Sequence, residues 1–488
     1  MSSIPERDAA QAAPGRAPRL GPRDFGDALL CAGAALALAL LLAQRTFYKI
    51  DGHLYLAHVL DGERSYPRHF LYLPMVFAAR DAGAVFGLTL YESARALSAL
   101  GLAVWTMLVH LASRTLGLTR GAALAATASA ATLPSVVFFA TVVEVHGPFL
   151  AFAGLAALAA AALAARPGAG RAAVFGAACA LAFGAHSTGA LLPALFLPLL
   201  LLYPHRPLRA GMVPAVVTAL VLGAGVLAAP HLAAALGLHV DPAHAAEFAT
   251  DRAGTNLAGW WRYRATLVQE WLVPMLPLSV LAPLALVRRT LRAQAGWLLV
   301  AAAVYLFTAV MVLGGEDERG AYLLPFAWPL ALLAVRALPR GAVVVVVFVQ
   351  LGFAIAAVRR HEDLDRTRGH AEGARALAGG DAIALLVGDE LDLQAYLLWL
   401  PEAERVPLFE LARLPAEAAP AAATRLREHV DDLLRRDRAV LVSDAACARI
   451  TAFPAVTPCG EALRAALATY DGERSRHPGF AGVRLRPR

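Results

Sequence analysis

Long apolar runs alternate with short polar segments from the N-terminal region to about residue 358. A helix needs about 20 apolar residues to cross a hydrocarbon core about 30 Å thick. Roughly eleven runs approach this length, and we predict spans at 28–44, 92–111, 122–139, 145–163, 172–185, 189–203, 211–229, 266–287, 296–314, 321–337 and 342–358. The pattern therefore predicts an α-helical polytopic membrane bundle of about eleven transmembrane helices.

The pattern changes after this bundle to a charged sequence in which short apolar runs are typical of strands. We predict buried strands at 383–387 and 439–442 and helices at 391–400, 422–436 and 461–469. Alternation of strand and helix predicts a small C-terminal α/β domain with a mainly parallel sheet. Asp389, Glu390 and Asp444 directly follow the two strands, where acids either contact ligands or, as we favour here, cap the next helix.

The composition agrees with a membrane protein. Of the 488 residues, 58% are hydrophobic and 17% are charged, and the mean hydropathy is +0.56, which excludes an ordinary soluble domain of this size. The net charge of +7 does not indicate nucleic-acid binding, because the basic residues lie in small groups between apolar runs. Heavy use of Ala, Gly, Leu and Arg is typical of a GC-rich bacterial genome, so we expect a multi-pass protein of the bacterial inner membrane.

The charges of the loops predict the orientation of the bundle. If the N-terminus is cytoplasmic, the inter-helix loops on that side carry arginines and no acids, as the positive-inside rule requires; the arginines are Arg114, Arg120, Arg166, Arg171, Arg206, Arg209, Arg288, Arg289, Arg292, Arg336 and Arg340. The acidic loops then face outward. We therefore predict a cytoplasmic tail at 1–27, a transmembrane domain at 28–358 with a first outer loop at 45–91, and a periplasmic or otherwise extracytoplasmic domain at 359–488.

The first outer loop contains the densest group of ionisable residues beside a predicted span. Among aromatic and aliphatic neighbours it holds Asp51, His53, Asp61, Glu63, Arg64, Arg68 and His69. Such a segment at a bilayer surface either carries acid/base or metal-assisted chemistry or anchors the loop as an interfacial helix. The segment alone leaves both interpretations open.

Three further polar patches fall at predicted outer ends of spans. Glu144 and His146 lie one residue apart in an apolar turn, His186 follows an apolar run, and Arg319 and Tyr322 begin a late span. Charged groups at hydrocarbon depth cost about 2.5–3.5 kcal/mol each, so the pair in the turn favours a functional site. A structural role for His186 and interfacial anchoring by Arg319 and Tyr322 are the alternatives. We expect these patches and the first outer loop to gather in one cavity.

The order and predicted side of these motifs resemble the GT-C superfamily of membrane glycosyltransferases, and most closely its bacterial branch related to the protein O-mannosyltransferases. The resemblance covers most of the chain. It is carried by Asp51 after the first span, Glu144-Val145-His146 between the third and fourth spans, Gly184-Ala185-His186, Arg319-x-x-Tyr322-x-x-Pro325, and Gly388-Asp389 before the segment 391–396.

The resemblance implies transfer of a sugar from a polyprenyl-phosphate donor to an acceptor hydroxyl on the periplasmic face, with inversion. Asp51 would be the catalytic base, and Glu144 is the second catalytic candidate. The substrate-binding candidates, including those for the donor phosphate, are His53, Asp61, Glu63, Arg64, Arg68, His69, His146, His186, Arg319 and Tyr322. The acceptor would be a protein, a glycan or a lipid of the cell envelope.

One position departs from the pattern of the related bacterial proteins. These often carry a second carboxylate three residues after the first, where this chain has Leu54. Asp51, Asp61 and Glu63 are the oxygen donors that a divalent cation would use if the loop folds back, so a metal stays open. The alternatives are a non-catalytic polyprenyl-lipid-binding envelope protein, which Leu54 favours, and a transporter or flippase. The latter needs charged or broken-helix sites near mid-membrane and paired halves, and neither is apparent in the sequence.

Overall fold

The computed structural model describes residues 20–48, 51–64, 69–197, 209–238, 260–313, 319–361, 364–412, 414–452 and 458–488. These residues form two compact units. The first unit contains the described parts of Met1–Ala43, Gly62–Ala82 and Ser93–Arg359. The second unit contains those of Gln44–Asp61, Gly83–Glu92 and Arg360–Arg488.

The chain is mostly helical up to residue 361. The described helices there are α1 (Pro22–Leu41), α2 (Asp51–Leu60), α3 (Tyr72–Ala84), α4 (Leu90–Thr115), α5 (Arg120–Ala131), α6 (Pro134–Thr141), α7 (His146–Ala165), α8 (Ala169–Ala185), α9 (Leu192–Phe196), α10 (Arg209–Ala235), α11 (Arg264–Leu272), α12 (Leu278–Ala285), α13 (Arg292–Leu313), α14 (Ala327–Ala337) and α15 (Arg340–His361). Short 3₁₀ turns lie at Ser187–Leu191, Trp260–Tyr263 and Ala321–Phe326.

Five of the described helices are long and apolar enough to cross a membrane. They are α1, α4, α7, the Met212–Ala235 part of α10, and the helix that begins at Arg340. A sixth span results if the bent pair α5 and α6 crosses as one. The chain is therefore a multi-pass membrane protein, while the larger number of spans and the side of each loop stay predictions.

Several of the predicted spans are interrupted, and proline is present at the interruptions, as three of them show. The run 122–139 is divided into α5 and α6, which meet at 62° where Pro134 begins α6. The run 266–287 is divided into α11 and α12 by a turn with two prolines. The run 321–337 begins as a 3₁₀ turn that contains Pro325. Proline lacks the N–H that continues a helix, and its ring clashes with the preceding turn. The length of the apolar runs therefore overestimates the number of long continuous helices.

Two ion pairs connect α1 to α4 and α5 at the end of the first unit where Arg114 and Arg120 lie. Arg114 at the end of α4 contacts Asp24 near the start of α1, and Arg120 at the start of α5 contacts Asp27, each at 2.6 Å. Both aspartates are buried, and a buried carboxylate needs such a partner because desolvation disfavours its charge. Two arginines that the sequence assigns to the cytoplasmic side thus lie at one end of the unit.

Glycines allow α4 and α7 to pack closely at the other end of the first unit. A Cβ atom on Gly101 would lie 2.1 Å from the carbonyl oxygen of Gly147, and one on Gly147 would lie 2.6 Å from the Cβ atom of Ser98. Small residues at helix contacts let backbones approach in this way in membrane proteins. The contact fixes the start of α7, and with it His146, against the first part of α4.

Beyond residue 361 the second unit alternates helices and strands. Its described elements there are α16 (Leu364–Ala378), β1 (Ile383–Val387), α17 (Glu390–Trp399), β2 (Glu404–Pro407), α18 (Leu408–Ala412), α19 (Ala419–Arg435), β3 (Ala439–Ser443), α20 (Asp444–Ala452), α21 (Pro458–Leu467), β4 (Asp471–Arg474) and β5 (Gly482–Arg486). The two strands and three helices expected from the sequence in this region are all present, with ends that differ by a few residues.

The strands form a mixed sheet with the order β2-β1-β3-β5-β4. β1 is parallel to β2 and β3, whereas β5 is antiparallel to β3 and β4. The predicted strands are the two fully buried ones, β1 and β3. The β4–β5 hairpin was not predicted, because β4 is polar and exposed throughout and lacks the apolar alternation of a half-buried strand. The expectation of a mainly parallel sheet is thus correct only for the β2-β1-β3 side.

Candidate functional site

Three histidines and a tyrosine meet in the first unit. The rings of His69 and His186 stack with centroids 4.7 Å apart and planes inclined by 13°. His146 lies 4.7 Å from His186 at an inclination of 42°. The Tyr322 ring is 5.9 Å from His146 and 5.7 Å from His186. We call these four residues the histidine cluster; its three histidines are buried, with exposed fractions of 8% or less.

Each member of the histidine cluster is placed by the end of a helix or by a turn. His146 is the first residue of α7, and His186 directly follows α8. His69 precedes α3, and the backbone N–H of Leu71 two residues later donates to the carbonyl of Gly184 at 3.1 Å. A Cβ atom at Gly184 would lie 2.8 Å from the side chains of Phe70 and Leu71. Glycine leaves room for these two side chains where the segment that carries His69 approaches Gly184, two residues before His186.

The hydrogen bonds of His186 determine which of its nitrogens carries the proton. The backbone N–H of Thr188 donates to Nδ1 at 3.2 Å, and the Thr188 hydroxyl lies 2.8 Å from the same atom. Nδ1 is therefore an acceptor, and in the neutral ring Nε2 carries the hydrogen. The cluster thus contains a fixed N–H donor of a kind suited to a phosphate or sugar oxygen.

Glu144 lies in the turn between α6 and α7, two residues before His146. Its side chain is buried, with 3% exposed, and its carboxylate accepts the N–H of Val145 at 3.0 Å. Ser98 donates to the Glu144 carbonyl oxygen at 3.4 Å. The Tyr72 phenol is fully buried within electrostatic range of the carboxylate. The turn therefore holds the carboxylate of Glu144 in place two positions before His146, a member of the histidine cluster.

Arg319 is held in a strained backbone conformation. Its φ is 49°, in the left-handed region that residues other than glycine rarely adopt. The guanidinium carbon lies 4.7 Å from the centre of the Phe138 ring, at the distance of a cation–π contact. The backbone N–H of Gly320 donates to the carboxylate of Glu270 at 2.6 Å. Tyr322 of the histidine cluster lies three positions after the strained arginine.

Glu270 was not among the residues selected from the sequence. It is buried, with 7% exposed, and it fixes the turn that presents Arg319. An acid within an apolar run is the signal that could have identified it, because such a charge needs a specific partner. Its partner is a backbone N–H about fifty positions away, which the sequence pattern does not reveal.

The first residues of the predicted outer loop lie in the second unit. Asp51 is the first residue of α2 and is exposed. His53 is fully buried, with the Phe47 ring at 5.7 Å and the Gln394 amide nitrogen 3.4 Å from its Nδ1. Asp61 forms an ion pair with Arg405 at 2.6 Å. His53 and Asp61 therefore make contacts that stabilise the second unit, and Asp51 lies at an exposed position of the same unit.

The remaining candidates of the loop belong to the first unit. Glu63 and Arg64 are exposed, and the Arg64 guanidinium lies 5.7 Å from the centre of the Phe77 ring. Arg68 lies outside the described residues. The structure thus brings His69, His146, His186 and Tyr322 together, while the gathering of every polar patch in one cavity stays a prediction.

No metal centre is found among the residues that the structure describes. No group of three or more His, Cys, Asp or Glu side chains there has the arrangement of a metal site. In the histidine cluster, His69 and His186 stack face to face instead of directing their nitrogens to a common point. The cluster is therefore better suited to hydrogen bonding than to binding a cation.

Burial lowers the pKa of His53 to about 4, from an ordinary value of 6.5. The unfolded chain therefore binds a proton at this residue between pH 6.5 and 4 that the folded chain does not, and stability rises with pH across this window. We expect thermal unfolding of the full-length protein in detergent to occur at progressively lower temperature as the pH falls from 6.5 towards 4. His53→Phe should flatten this dependence, whereas His58→Gln on the same helix should keep it. An unchanged pH dependence in His53→Phe would contradict the assignment.

Comparison with known proteins identifies the fold. No family model and no curated protein matches the chain. Solved structures do match, and the likeness is one of overall fold. The structure that carries this comparison is that of ArnT from Cupriavidus metallidurans bound to undecaprenyl phosphate, with a TM-score of 0.54, 14% identity, and coverage of 94% of this chain and 98% of that chain. The apo state of the same ArnT aligns over 95% of this chain with a TM-score of 0.38.

Proposed function

We propose that this protein is an integral-membrane glycosyltransferase that transfers a sugar from a polyprenyl-phosphate donor to an acceptor hydroxyl on the periplasmic face. The observation that carries the proposal is the histidine cluster, whose three histidines are buried. Arg319 lies three positions before Tyr322, a member of this cluster. The fold is shared with a protein that binds undecaprenyl phosphate. The cluster supplies N–H and O–H donors, and Arg319 supplies a planar cation that matches a phosphate group.

The proposed reaction is a single displacement at the anomeric carbon. The acceptor oxygen forms a bond to this carbon as the bond from the carbon to the phosphate oxygen breaks, which inverts the configuration. The proton of the acceptor hydroxyl moves to the Asp51 carboxylate, and polyprenyl phosphate leaves with the bonding electrons. A base raises the nucleophilicity of the hydroxyl, and Asp51 is an exposed carboxylate at the start of a helix.

Arg319 and the histidine cluster have the complementary task of stabilising the departing phosphate. Negative charge grows on the phosphate oxygen in the transition state, and fixed donors aimed at that charge lower the barrier. The Nε2–H of His186 and the hydroxyl of Tyr322 are suited to donate to it. Glu144 is two residues before His146. We propose that its carboxylate positions the hydrogen-bond donors of the histidine cluster and orients the sugar hydroxyls.

The features of the bent helix pair weigh against a transporter. Ion-coupled transporters place ionisable groups and freed backbone at broken helices. Here α6 is buried and contains no ionisable residue. The Thr132 hydroxyl at the break lies within hydrogen-bond distance of the Ala128 carbonyl at 2.9 Å and of the buried Gln350 side chain at 3.1 Å. The polar side chains at the break are thus uncharged and contact each other, and α6 offers no charged site.

Lipid and glycan profiles of a deletion strain test this proposal directly. In a strain that lacks the protein, we expect a polyprenyl-phosphate sugar to accumulate and one glycosylated envelope component to disappear in an untargeted lipid and glycan profile. Expression of the wild-type protein should reverse both changes, and expression of Asp51→Asn should reverse neither. Unchanged profiles of both lipid and glycan in the deletion strain would contradict the proposal.

A further inference from the structure

The second unit contains a cavity of about 620 Å³ that is lined by none of the residues assigned above to the proposed reaction. This volume lies within the range of about 300–1,000 Å³ that is usual for sites of small molecules. The lining residues that matter for its chemistry are Phe47, Arg366, Asp389, Glu390, Gln394 and Arg449. We call this space the sheet-end cavity.

The position of the sheet-end cavity in the fold is one where α/β proteins bind ligands. β1 continues through α17 to β2 on one side of it, whereas β3 continues through α20 and α21 to the β4–β5 hairpin on the other side. The chain therefore leaves the carboxyl ends of β1 and β3 in opposite directions. Asp389 stands two positions after β1, Ala445 stands two positions after β3, and both line the cavity. Crevices at such a switch point are the usual ligand sites of open α/β sheets.

A buried polar network holds the two sides of the cavity in place. The fully buried Asp392 carboxylate contacts Nε2 of His370 at 2.8 Å and accepts the hydroxyl of Ser443 at 2.9 Å. The same hydroxyl oxygen accepts the N–H of Ala446 in α20 at 2.9 Å. A Cβ atom on Gly388 would lie 2.4 Å from that of Ala446. These contacts fix the starts of α17 and α20 against each other, so the cavity is formed before any ligand arrives.

The charges that line the cavity select against simple ions. Among the described residues, Arg366 has no carboxylate partner, while Arg449 lies 4.0 Å from Glu390. Burial, together with the nearby Asp392, raises the pKa of Asp389 to about 6, which leaves it mostly ionised and able to accept hydrogen bonds at neutral pH. Two acids would repel a free phosphate, and two arginines would repel a cation. A ligand with many hydroxyl groups satisfies both kinds of side chain, because each hydroxyl donates and accepts.

The remaining walls also fit a ligand of this kind. Phe47 offers an apolar ring and Gln394 offers an amide with two donors and one acceptor oxygen. His53 contacts both of these residues from behind and is thus a positioning residue of the wall. A flat apolar surface beside a ring of donors and acceptors matches the C–H face and the hydroxyl edge of a sugar.

We propose that the sheet-end cavity binds a saccharide. We further assign this saccharide as the acceptor of the transfer reaction, an assignment that rests on the proposed function. In this arrangement the carboxylates of Asp389 and Glu390 accept from sugar hydroxyls, and Arg366, Arg449 and Gln394 donate to sugar oxygens.

Saturation-transfer NMR on the full-length protein in detergent tests the site without relying on turnover. The probes are methyl hexosides, methyl pentosides, N-acetylhexosamines and their disaccharides, with inorganic phosphate in a separate arm. Ala445→Trp fills the cavity from an exposed position on α20, and Ala465→Trp adds the same side chain to an exposed position on α21. We expect at least one saccharide to bind, Ala445→Trp to weaken its binding at least tenfold, and Ala465→Trp to bind it as the wild type does.

Three results would overturn the saccharide site: no probe sugar binds, binding is insensitive to Ala445→Trp, or inorganic phosphate alone binds. Transfer assays separate this inference from the proposed function. If saccharides bind in the cavity and no transfer occurs, the site stands and the acceptor role falls with the proposed function. If transfer occurs and Ala445→Trp leaves the acceptor KM unchanged, the acceptor role alone is wrong. A tenfold rise of that KM without loss of kcat supports it.

Discussion

Asp51→Asn is expected to lower kcat for sugar transfer by about 10²–10⁴-fold, the usual contribution of a general base. The amide has nearly the shape of the carboxylate, so it preserves packing at the start of α2 but cannot take up the proton of the acceptor hydroxyl. The KM for the donor should change little, because the proposed role of Asp51 is towards the acceptor. Steady-state kinetics with purified variants in detergent would measure both quantities.

The matched control for this substitution is Asp81→Asn. Asp81 is an exposed acid of α3 whose carboxylate pairs with the adjacent Arg80 at 2.7 Å, so its loss should leave kcat near that of the wild type. Asp51→Glu keeps a base but displaces it, and an intermediate rate is expected. If Asp51→Asn transfers sugar at a rate close to that of the wild type, Asp51 is not the base.

Replacing Arg319 by Ala should lower kcat by about 10²–10³-fold, as is usual when one fixed donor to a developing negative charge is lost. Arg319→Lys keeps the charge but loses the planar fork that matches phosphate, so its activity should fall between those of the wild type and Arg319→Ala. The measurement is kcat for release of polyprenyl phosphate, compared with the thermal unfolding temperature of each variant.

The backbone of Arg319 offers a control that separates activity from stability. The left-handed conformation at φ 49° costs about 1–2 kcal/mol for a residue with a Cβ atom, and glycine adopts it without this cost. Arg319→Gly should therefore unfold at the same or a higher temperature than Arg319→Ala and be equally impaired in catalysis. A glycine variant that keeps wild-type turnover would exclude the guanidinium from the reaction.

Local pattern was sufficient to predict several parts of the structure. The strands at β1 and β3 are continuous buried apolar runs, which are distinctive in a charged region. Asp389 was expected to cap the next helix, and its carboxylate does accept the N–H of Asp392 at 2.8 Å. His146 and His186 were selected because they are polar groups beside apolar runs, and their rings are in contact. In each case the decisive signal lay within a few residues of the feature.

Other features depend on contacts between distant segments, and the sequence did not reveal them. The sequence around Pro134 is compatible with a single apolar span, and the contact of Thr132 at the bend with Gln350, more than two hundred positions away, appears only in the fold. Glu270 finds its partner at Gly320 only through the fold. The sheet-end cavity depends on the strand order β2-β1-β3, and hydrophobic periodicity predicts strands but not the order in which they pair.

The most direct test uses the purified full-length protein and the polyprenyl-phosphate sugars extracted from a strain that lacks it. We predict that wild-type protein, given an envelope extract as acceptor, releases free polyprenyl phosphate with multiple turnovers, and that Asp51→Asn and Arg319→Ala do so at least a hundredfold more slowly. Binding of the lipid without its release by the wild-type protein would exclude catalysis of sugar transfer and favour a non-catalytic lipid-binding protein.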